Sequence, residues 1–374
     1  MDYYDLIIVG AGPAGSTLAN ALSNSGKRIL IIDKQDFPRD KTCAGWVTPA
    51  VMQTLGIDLE DYGNGRTLQP IRRFRIGMMG QSAVENDHGD VVSYGIRRCE
   101  FDTYLLDRVQ FPKKLSTPVK SIVRKDGNWV VNDTWEAPLV VGAGGHFCPV
   151  ARLLGDGPGS HETIVAAKEV EFEMTPEQAE ACQARGDTPE LWFCRDLKGY
   201  AWVFRKGNYL NIGLGREDNH KLTGHLQDFV DEMKASGRIP SDLPGRFKGH
   251  AYLLYAHAER PLVDDGVLLI GDSAGLAYTQ SGEGIRPAIE SALMAADVIR
   301  KVSDYSASAL QIYGDAVAER FGNRAADTEQ GWQLPDWVKM PLASTLMRSH
   351  WFTRKVVTEK WFLHQEIPPL EVAV

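Results

Sequence analysis

The letters DLIIVGAGPAGSTLANAL at residues 5–22, followed by RILIID at residues 28–33, decide the fold of this chain. The run at 5–9 is apolar throughout after its first residue, as a strand buried on both faces requires. Residues 16–22 have a helical pattern, and a second apolar run at 29–32 ends in an acid. The order is therefore strand, glycine turn, helix, strand and acid, which predicts a dinucleotide-binding unit.

The glycines and the acid of this unit each have a physical role. Gly10 permits the tight turn, Gly12 lets the backbone approach a pyrophosphate, and Gly15 lets the helix pack close to the sheet. The start of the helix presents unpaired N–H groups to phosphates. Asp33 suits the two hydroxyl groups of a ribose.

Length and composition restrict the class of protein. A chain of 374 residues predicts two domains, or one nested in another. The net charge of −8 and the lack of a basic tract argue against nucleic-acid binding. Five cysteines without a C-x-x-C pair argue against a disulfide framework or a zinc site, and the scattered histidines have no metal-ligand spacing.

The same sequence predicts where the protein resides. The nucleotide-binding strand begins at once, which leaves no room for a signal peptide, and no run of eighteen apolar residues exists. We therefore expect a cytoplasmic protein, and the cysteine usage fits a reducing compartment.

The loop after Asp33, residues 34–49, leaves the carboxyl edge of the predicted sheet, where ligands of open α/β folds bind. Arg39 and Lys41 lie beside the expected pyrophosphate. The pattern leaves two interpretations open for them, a solvated surface and an anion-binding role.

The remaining chain alternates between sheet and helix patterns. Residues 70–97 predict antiparallel strands, 98–107 a helix, and 117–123, 129–131 and 139–141 three further strands. The last of these ends in GAGG at 142–145, which we interpret as a strand returning to the first sheet, with a separate nicotinamide site as the alternative. Residues 161–257 predict a second sheet with a hairpin turning at 206–208, and 222–236 a helix.

A second informative stretch is GVLLIGDSAG at 266–275, a buried strand ending in Gly271 and Asp272. A loop through SGEGI at 281–285 follows, and a long helix begins at its end. Asp272 is placed to bind a ligand hydroxyl, and the helix start favours anions.

The C-terminal tail combines aromatic and basic residues, and two interpretations stay open. Such helices can lie on a membrane surface, or they can pack over the catalytic domain and line an apolar pocket. The residues concerned are Trp332, Trp337, Trp351, Phe352, Trp361, Phe362, Lys339, Arg348, Arg354, Lys355 and Lys360.

Taken together, these motifs resemble the flavoprotein superfold of the para-hydroxybenzoate hydroxylase type. GxGxxG at 10–15, RxxFD at 98–102 and GD at 271–272 stand in the order and spacing of that superfold. The resemblance implies FAD as cofactor, with Asp33 at the adenosine ribose, Arg98 near the cofactor and Asp272 at the ribityl or pyrophosphate region. It also implies that the backbone at Val119 contacts adenine.

Within this superfold the chain is similar to the geranylgeranyl reductase family. CAGWVTP at 43–49 is similar to the family's loop facing the flavin, YAWVFRKG at 200–207 to its hairpin, and SGEGI at 281–285 to its TGEGI turn. Ala44 and Arg205 replace a glycine and a proline of the family pattern. GAGG at 142–145 replaces an aspartate-glycine pair of the hydroxylases.

The resemblance implies an α/β fold, with a Rossmann-type FAD-binding domain, an inserted antiparallel-sheet substrate domain and C-terminal helices. We predict an FAD-binding domain at 1–70, 97–150 and 258–320, a substrate-binding domain at 71–96 and 151–257, and a C-terminal helical segment at 321–374. The predicted catalytic residues are Cys43, Tyr200 and Trp202. The predicted cofactor-binding residues are Gly10, Gly12, Ala14, Gly15, Asp33, Lys34, Arg39, Ala44, Gly45, Arg98, Val119, Gly271, Asp272, Gly284 and Ile285.

The leading functional hypothesis is an FAD-dependent reductase of C=C bonds in an apolar, prenylated substrate. Hydride would come from reduced flavin and a proton would reach the neighbouring carbon. The electron donor is expected to be NAD(P)H or a reduced ferredoxin or flavodoxin, and peripheral membrane association is a further expectation. The alternatives are a flavin-dependent monooxygenase and a flavin-binding protein without catalytic activity.

Overall fold

The computed structural model describes residues 1–155, 164–218, 221–322, 324 and 335–371. Trp332 and parts of the predicted substrate domain and C-terminal segment lie outside these residues. Strands are numbered β1 to β20 and α-helices α1 to α10 along the described chain.

The first sheet contains the dinucleotide-binding unit. Its strand order is β19-β20-β13-β2-β3-β9, and every neighbouring pair is parallel except β19–β20. The strands are β2 (Leu6–Val9), β3 (Ile29–Ile32), β9 (Lys113–Lys114), β13 (Val140–Gly142), β19 (Val263–Asp264) and β20 (Val267–Leu269). All residues of β2, β3, β13 and β20 are buried, which explains their unbroken apolar runs.

The interpretation of 139–141 as a strand returning to this sheet is confirmed, because β13 lies between β2 and β20. Helices α1 (Pro13–Ala21) and α7 (Ile285–Lys301) pack against each other beside the sheet. The glycine turn before α1 and the SGEGI turn before α7 therefore lie close together at the carboxyl edge of the sheet.

The second sheet has seven strands in the order β18-β14-β17-β16-β15-β6-β7. They are β6 (Arg73–Met78), β7 (Val84–Asp87), β14 (Ile164–Glu173), β15 (Glu190–Phe193), β16 (Gly199–Lys206), β17 (Tyr209–Arg216) and β18 (Lys248–Leu253). The pairs are antiparallel except β6–β15, which is parallel. The predicted hairpin is β16–β17, and its turn consists of Gly207, with a φ of +59°, and Asn208.

The described residues also form two smaller sheets. One contains β1 (Asp2–Tyr3), β10 (Ile122–Lys125), β11 (Asn128–Val131) and β12 (Trp135–Ala137). The other contains β4 (Trp46–Val47), β5 (Leu68–Ile71) and β8 (Ser93–Ile96). The predicted strand at 117–123 is wrong over most of its length, since β10 begins only at Ile122. Pro118 cannot donate a ladder hydrogen bond, and Ser116 has a φ of +52°.

The other α-helices are α2 (Pro49–Thr54), α3 (Leu59–Gly63), α4 (Arg98–Asp107), α5 (Pro176–Ala181), α6 (Leu222–Ala235), α8 (Ala307–Phe321), α9 (Asp336–Leu346) and α10 (His350–Phe352). A π-helix, Thr353–Phe362, continues from α10. Met347, Val357, Phe362 and Leu363 of this C-terminal segment join the hydrophobic cluster on one face of the second sheet. None of the described helices is long and apolar enough to cross a membrane.

Candidate active site

One cavity of about 470 Å³ lies between the carboxyl edge of the first sheet and the second sheet. It brings together sixteen of the eighteen predicted site residues. They are Gly10, Gly12, Ala14, Asp33, Lys34, Arg39, Cys43, Ala44, Gly45, Arg98, Val119, Tyr200, Trp202, Asp272, Gly284 and Ile285.

Gly15 and Gly271 lie behind the cavity wall. A Cβ on Gly15 would stand 1.9 Å from the carbonyl oxygen of Gly10, and one on Gly271 would stand 3.2 Å from Cβ of Ala14. Both glycines therefore allow backbone segments and helices to approach each other closely. This packing shapes the cavity without forming its surface.

The glycine turn forms a cradle at the polar end of the cavity. Gly10 has a φ of +118°, and a Cβ there would stand 2.3 Å from the carbonyl oxygen of Ala143. Helix α1 begins after Gly12, and no side chain of the described residues caps its N-terminus. Uncapped N–H groups at a helix start are a binding site for a phosphate.

Asp33 lies at the end of β3, beside the same turn. Its Oδ2 accepts a hydrogen bond from the Ala11 N–H at 2.8 Å, and its backbone oxygen accepts one from the Thr117 N–H at 2.8 Å. These bonds attach the loop carrying Val119 to the strand end. Lys34 and Val119 line the cavity next to Asp33.

A buried ion-pair cluster supports the cradle from α4. Arg98 forms two hydrogen bonds of 2.8 Å to the carboxylate of Asp102, and Arg39 Nη2 lies 3.1 Å from the same carboxylate. Burial opposes the charge of Arg98, but Asp102 and the adjacent Cys43 outweigh it and raise the pKa of Arg98. One carboxylate thus orients two guanidinium groups, which leaves the cluster with net positive charge for an anion.

A second charged cluster contains Asp272, the acid predicted from the GD motif. Lys41 Nζ lies 2.5 Å from His250 Nε2, which lies 4.0 Å from Asp272 Oδ2. Burial lowers the pKa of Lys41 to about 8. Burial by itself would raise the pKa of Asp272, but His250 and Lys41 lower it to about 2, so Asp272 is ionised.

The loop carrying Cys43 is held by the second sheet. The Cys43 N–H donates to Glu169 Oε1 at 2.7 Å, and Asn211 Nδ2 donates to the Cys43 carbonyl at 3.1 Å. Asn211 Oδ1 also accepts a hydrogen bond of 2.6 Å from Trp202 Nε1. Asn211 therefore connects two predicted catalytic residues, and burial raises the pKa of Glu169 to about 7.

Aromatic side chains line the end of the cavity opposite the glycine turn. Tyr200 donates a hydrogen bond from its hydroxyl to the Ser281 carbonyl. Phe362, from the π-helix, contacts Tyr200 and Trp46 edge-on with ring centroids 5.2 and 5.5 Å apart. At Phe362 the tail therefore packs over the cavity, as one of the two sequence interpretations predicts.

Sequence reasoning missed several residues of this site. Glu169, Asn211 and His250 come from strands of the second sheet, far from the nucleotide-binding motifs, and nothing local in the sequence connects them to the cavity. Lys41 is not among the predicted site residues, although an anion-binding role is one of the two sequence interpretations for it, and it lines the cavity. Among the described residues, no group of three or more His, Cys, Asp or Glu side chains is arranged to hold a metal ion.

Comparison with known proteins agrees with this geometry. Residues 8–47 match the model of an NAD(P)-binding Rossmann-like domain. A digeranylgeranylglycerophospholipid reductase of Methanocaldococcus jannaschii is 26% identical over 337 residues, covering 83% of this chain and 81% of that protein. An uncharacterized protein of Methanosarcina barkeri is 28% identical over 308 residues, covering 80% and 75%.

Solved structures show the same fold. A geranylgeranyl bacteriochlorophyll reductase-like protein from Thermoplasma acidophilum has a TM-score of 0.77 at 20% identity and covers 98% of both chains. A flavin-dependent halogenase has a TM-score of 0.67 at 18% identity, covering 93% of this chain and 71% of that one. The predicted fold is confirmed, and the names of these relatives agree with the resemblance to the geranylgeranyl reductase family.

Proposed function

We propose that this protein is an FAD-dependent reductase that saturates C=C bonds in the prenyl chains of a lipid-type substrate. The observation that carries the proposal is the continuity of the cavity. It joins a phosphate-binding end at Gly12 to an aromatic end at Trp202, with the Cys43 loop between them. A reductase of this kind needs a cofactor and an apolar chain in one enclosed space.

The polar end has the features that FAD requires. A side chain is excluded at Gly10, the start of α1 is uncapped, and Arg39 and Arg98 supply positive charge. These residues would hold the pyrophosphate, and Asp33 would bind the adenosine ribose. In the resemblance, the backbone at Gly284 and Ile285, where α7 begins, faces the flavin ring.

When bound and reduced, FAD supplies the hydride that a C=C bond accepts. The chain's own contribution is to exclude water and to orient the substrate. Tyr200, Trp202 and Phe204 present aromatic faces, which bind an apolar chain and stabilise developing positive charge. Burial of a prenyl chain contributes about 0.8 kcal/mol for each methylene group.

Cys43 is assigned a catalytic or tuning role at the flavin. Its backbone is fixed on both sides by Glu169 and Asn211, so its side chain has a defined position on the cavity wall. A loop held by two hydrogen bonds with side chains of the second sheet is suited to orient a reacting group.

The alternative is a flavin-dependent monooxygenase, and the fold does not exclude it. A likeness to a probable FAD-dependent monooxygenase, with a TM-score of 0.62, accompanies the likeness to the reductase-like protein. The names of the sequence relatives that cover most of this chain favour the reductase.

The two functions separate in one experiment. Purified protein loaded with FAD is reduced by dithionite without oxygen and mixed with a phospholipid carrying geranylgeranyl chains. A reductase yields a product that is heavier by two hydrogen atoms for each bond reduced, read by mass spectrometry. A product that contains an added oxygen atom, formed only in air, would instead establish the monooxygenase.

We further propose that the enzyme meets its lipid at a membrane surface. Trp337 and Trp351 are 79% and 67% exposed, and Lys339, Arg348 and Lys360 nearby in the chain are also exposed. Exposed indoles with basic neighbours favour an anionic lipid surface. Trp337→Ser with Trp351→Ser should reduce co-sedimentation with phosphatidylglycerol vesicles. Equal sedimentation of the variant and the parent protein would refute this.

The electron donor is proposed to be NAD(P)H or a reduced ferredoxin or flavodoxin. Anaerobic flavin bleaching by each donor in turn distinguishes them, because only a competent donor reduces the bound FAD.

A further inference from the structure

Glu283 is a buried carboxyl group that the proposed function leaves without a role. It belongs to the SGEGI turn, its side chain is 4% exposed, and it lines the active-site cavity. Neither carboxyl oxygen has a hydrogen-bond partner among the described residues. His364 Nε2 lies 4.0 Å from Oε2, beyond hydrogen-bonding distance.

Two other buried glutamates show that this is unusual within the chain. Glu169 accepts a hydrogen bond from the Cys43 N–H, and Glu290 binds both Arg286 and Arg320. Buried carboxylates normally have such partners, because an unpaired buried charge is strongly unfavourable. Glu283 therefore has an environment suited to the protonated, neutral acid.

Among the influences on Glu283, burial dominates and the positive charge of Arg286 opposes it. Burial raises its pKa to about 7. The charge of Arg286 favours ionisation, as does its backbone N–H, which is near the carboxyl group without forming a hydrogen bond of normal geometry, and Glu290 opposes ionisation. Burial and Arg286 lower the pKa of His364 to about 4, so the imidazole is neutral and does not pair with Glu283 as a cation. Tyr278, stacked on His364, and Tyr200 have raised pKa values and are uncharged.

The position of Glu283 connects it to both halves of the site. The next residues, Gly284 and Ile285, open α7 at the end assigned to the flavin ring. On the other side, Ser281 accepts the hydrogen bond from Tyr200 of the aromatic wall. A proton held at Glu283 thus lies at the junction between cofactor and substrate.

We propose that Glu283 is the proton donor for the reduction. The inference rests on the proposed function, in which each C=C bond gains one hydride, supplied by reduced FAD, and one proton. The Glu283 O–H bond breaks, its proton forms a C–H bond with one alkene carbon, and the hydride forms a C–H bond with the other. Glu283 is left as a carboxylate and regains a proton from solvent before the next turnover.

The test compares Glu283→Gln with the parent enzyme and with Glu366→Gln, which removes an exposed acid from the C-terminal segment. Glutamine keeps the shape of the side chain but cannot act as an acid. In anaerobic single turnovers of the reduced enzyme with geranylgeranyl phospholipid, the rate should fall by about 10² to 10⁴-fold in Glu283→Gln. FAD content and the melting temperature check that this variant is folded and loaded.

Two readouts report on the acid itself. The parent rate should decrease as pH rises above about 7, and this dependence should be lost in Glu283→Gln but kept in Glu366→Gln. Infrared spectra near neutral pH should contain the carbonyl band of a protonated carboxyl group that Glu283→Gln removes. If Glu283→Gln does not fold, Glu283→Asp replaces it. The shorter acid still carries a proton, so its turnover should be slower but should still fall as pH rises, and a rate independent of pH would overturn the assignment.

Turnover by loaded Glu283→Gln at the parent rate would overturn the assignment while leaving the reductase function intact. Failure of the parent enzyme to reduce any prenyl lipid would overturn the proposed function. The infrared band would then still decide separately whether Glu283 is held as the neutral acid, and its absence would overturn that part of the inference.

Discussion

Substitution of Gly213 in β17 by alanine tests how the second sheet positions Trp202. A Cβ at Gly213 would stand 2.2 Å from Cζ2 of the Trp202 indole and 2.9 Å from Cβ of Glu169. Ordinary contacts between carbon atoms are about 3.5 to 4.0 Å. In Gly213→Ala the indole must therefore move by about 1 Å or more, which breaks or distorts its hydrogen bond to Asn211.

The expected effect follows from this displacement. Overpacking of a filled core costs about 1–3 kcal/mol of folding stability. A misplacement of about 1 Å in an active site can lower the rate about 10²-fold. The residues proposed to bind FAD lie outside the strands of the second sheet, so the cofactor content should stay that of the parent protein.

Gly215, two residues along the same strand, is the matched control. A Cβ there would stand 3.6 Å or more from its nearest neighbours, the Tyr252 hydroxyl and Ala167, in ordinary contact. Both variants are measured by FAD absorbance, by thermal denaturation and by anaerobic oxidation of the reduced flavin on addition of geranylgeranyl phospholipid. A Gly213→Ala enzyme that reacts as fast as Gly215→Ala would refute a positioning role for this contact.

Three further predictions concern the cofactor and the Cys43 loop. Cys43→Ala should slow anaerobic lipid reduction with normal FAD content; unchanged turnover would make the cysteine structural. Arg98→Ala should lower FAD occupancy after purification, read as the ratio of flavin to protein absorbance, whereas full occupancy would contradict its assignment. Burial raises the pKa of Glu169 from 4.5 to about 7, so its ionisation destabilises the folded chain as pH rises through that range. Glu169→Gln should therefore gain melting temperature relative to the parent at about pH 8 but not at about pH 4, and an equal difference at both pH values would oppose this.

Much of the site could be predicted from local sequence, because several of its residues act through the backbone of short contiguous segments. Gly10 and Gly12 act through the backbone of one turn, and that turn follows a buried strand directly in the chain. Asp33 ends the next strand of the same unit. The motif residues Arg98 and Asp272 required the resemblance as well, since they reach the cavity from α4 and from the end of β20.

Other features of the fold could not be predicted from local sequence patterns. The parallel pairing of β6 with β15 joins segments more than a hundred residues apart, and neither run of residues indicates its partner. Val119 was predicted in a strand, but it lies in a loop whose shape depends on Pro118 and on a hydrogen bond from Thr117 to Asp33.

By itself, then, the sequence determined a dinucleotide-binding unit at residues 5–33. The spacing of its glycines and their backbone freedom are properties of contiguous residues. Only the tertiary structure decided which residues surround the Cys43 loop and the aromatic end of the cavity. Glu169 and Asn211 meet the Cys43 loop across the two sheets, and Phe362 reaches the cavity from the C-terminal segment. The burial of Glu283 and its lack of hydrogen-bond partners among the described residues arise from packing between distant segments. Such packing sets the protonation state of a carboxyl group, which therefore cannot be predicted from the SGEGI motif.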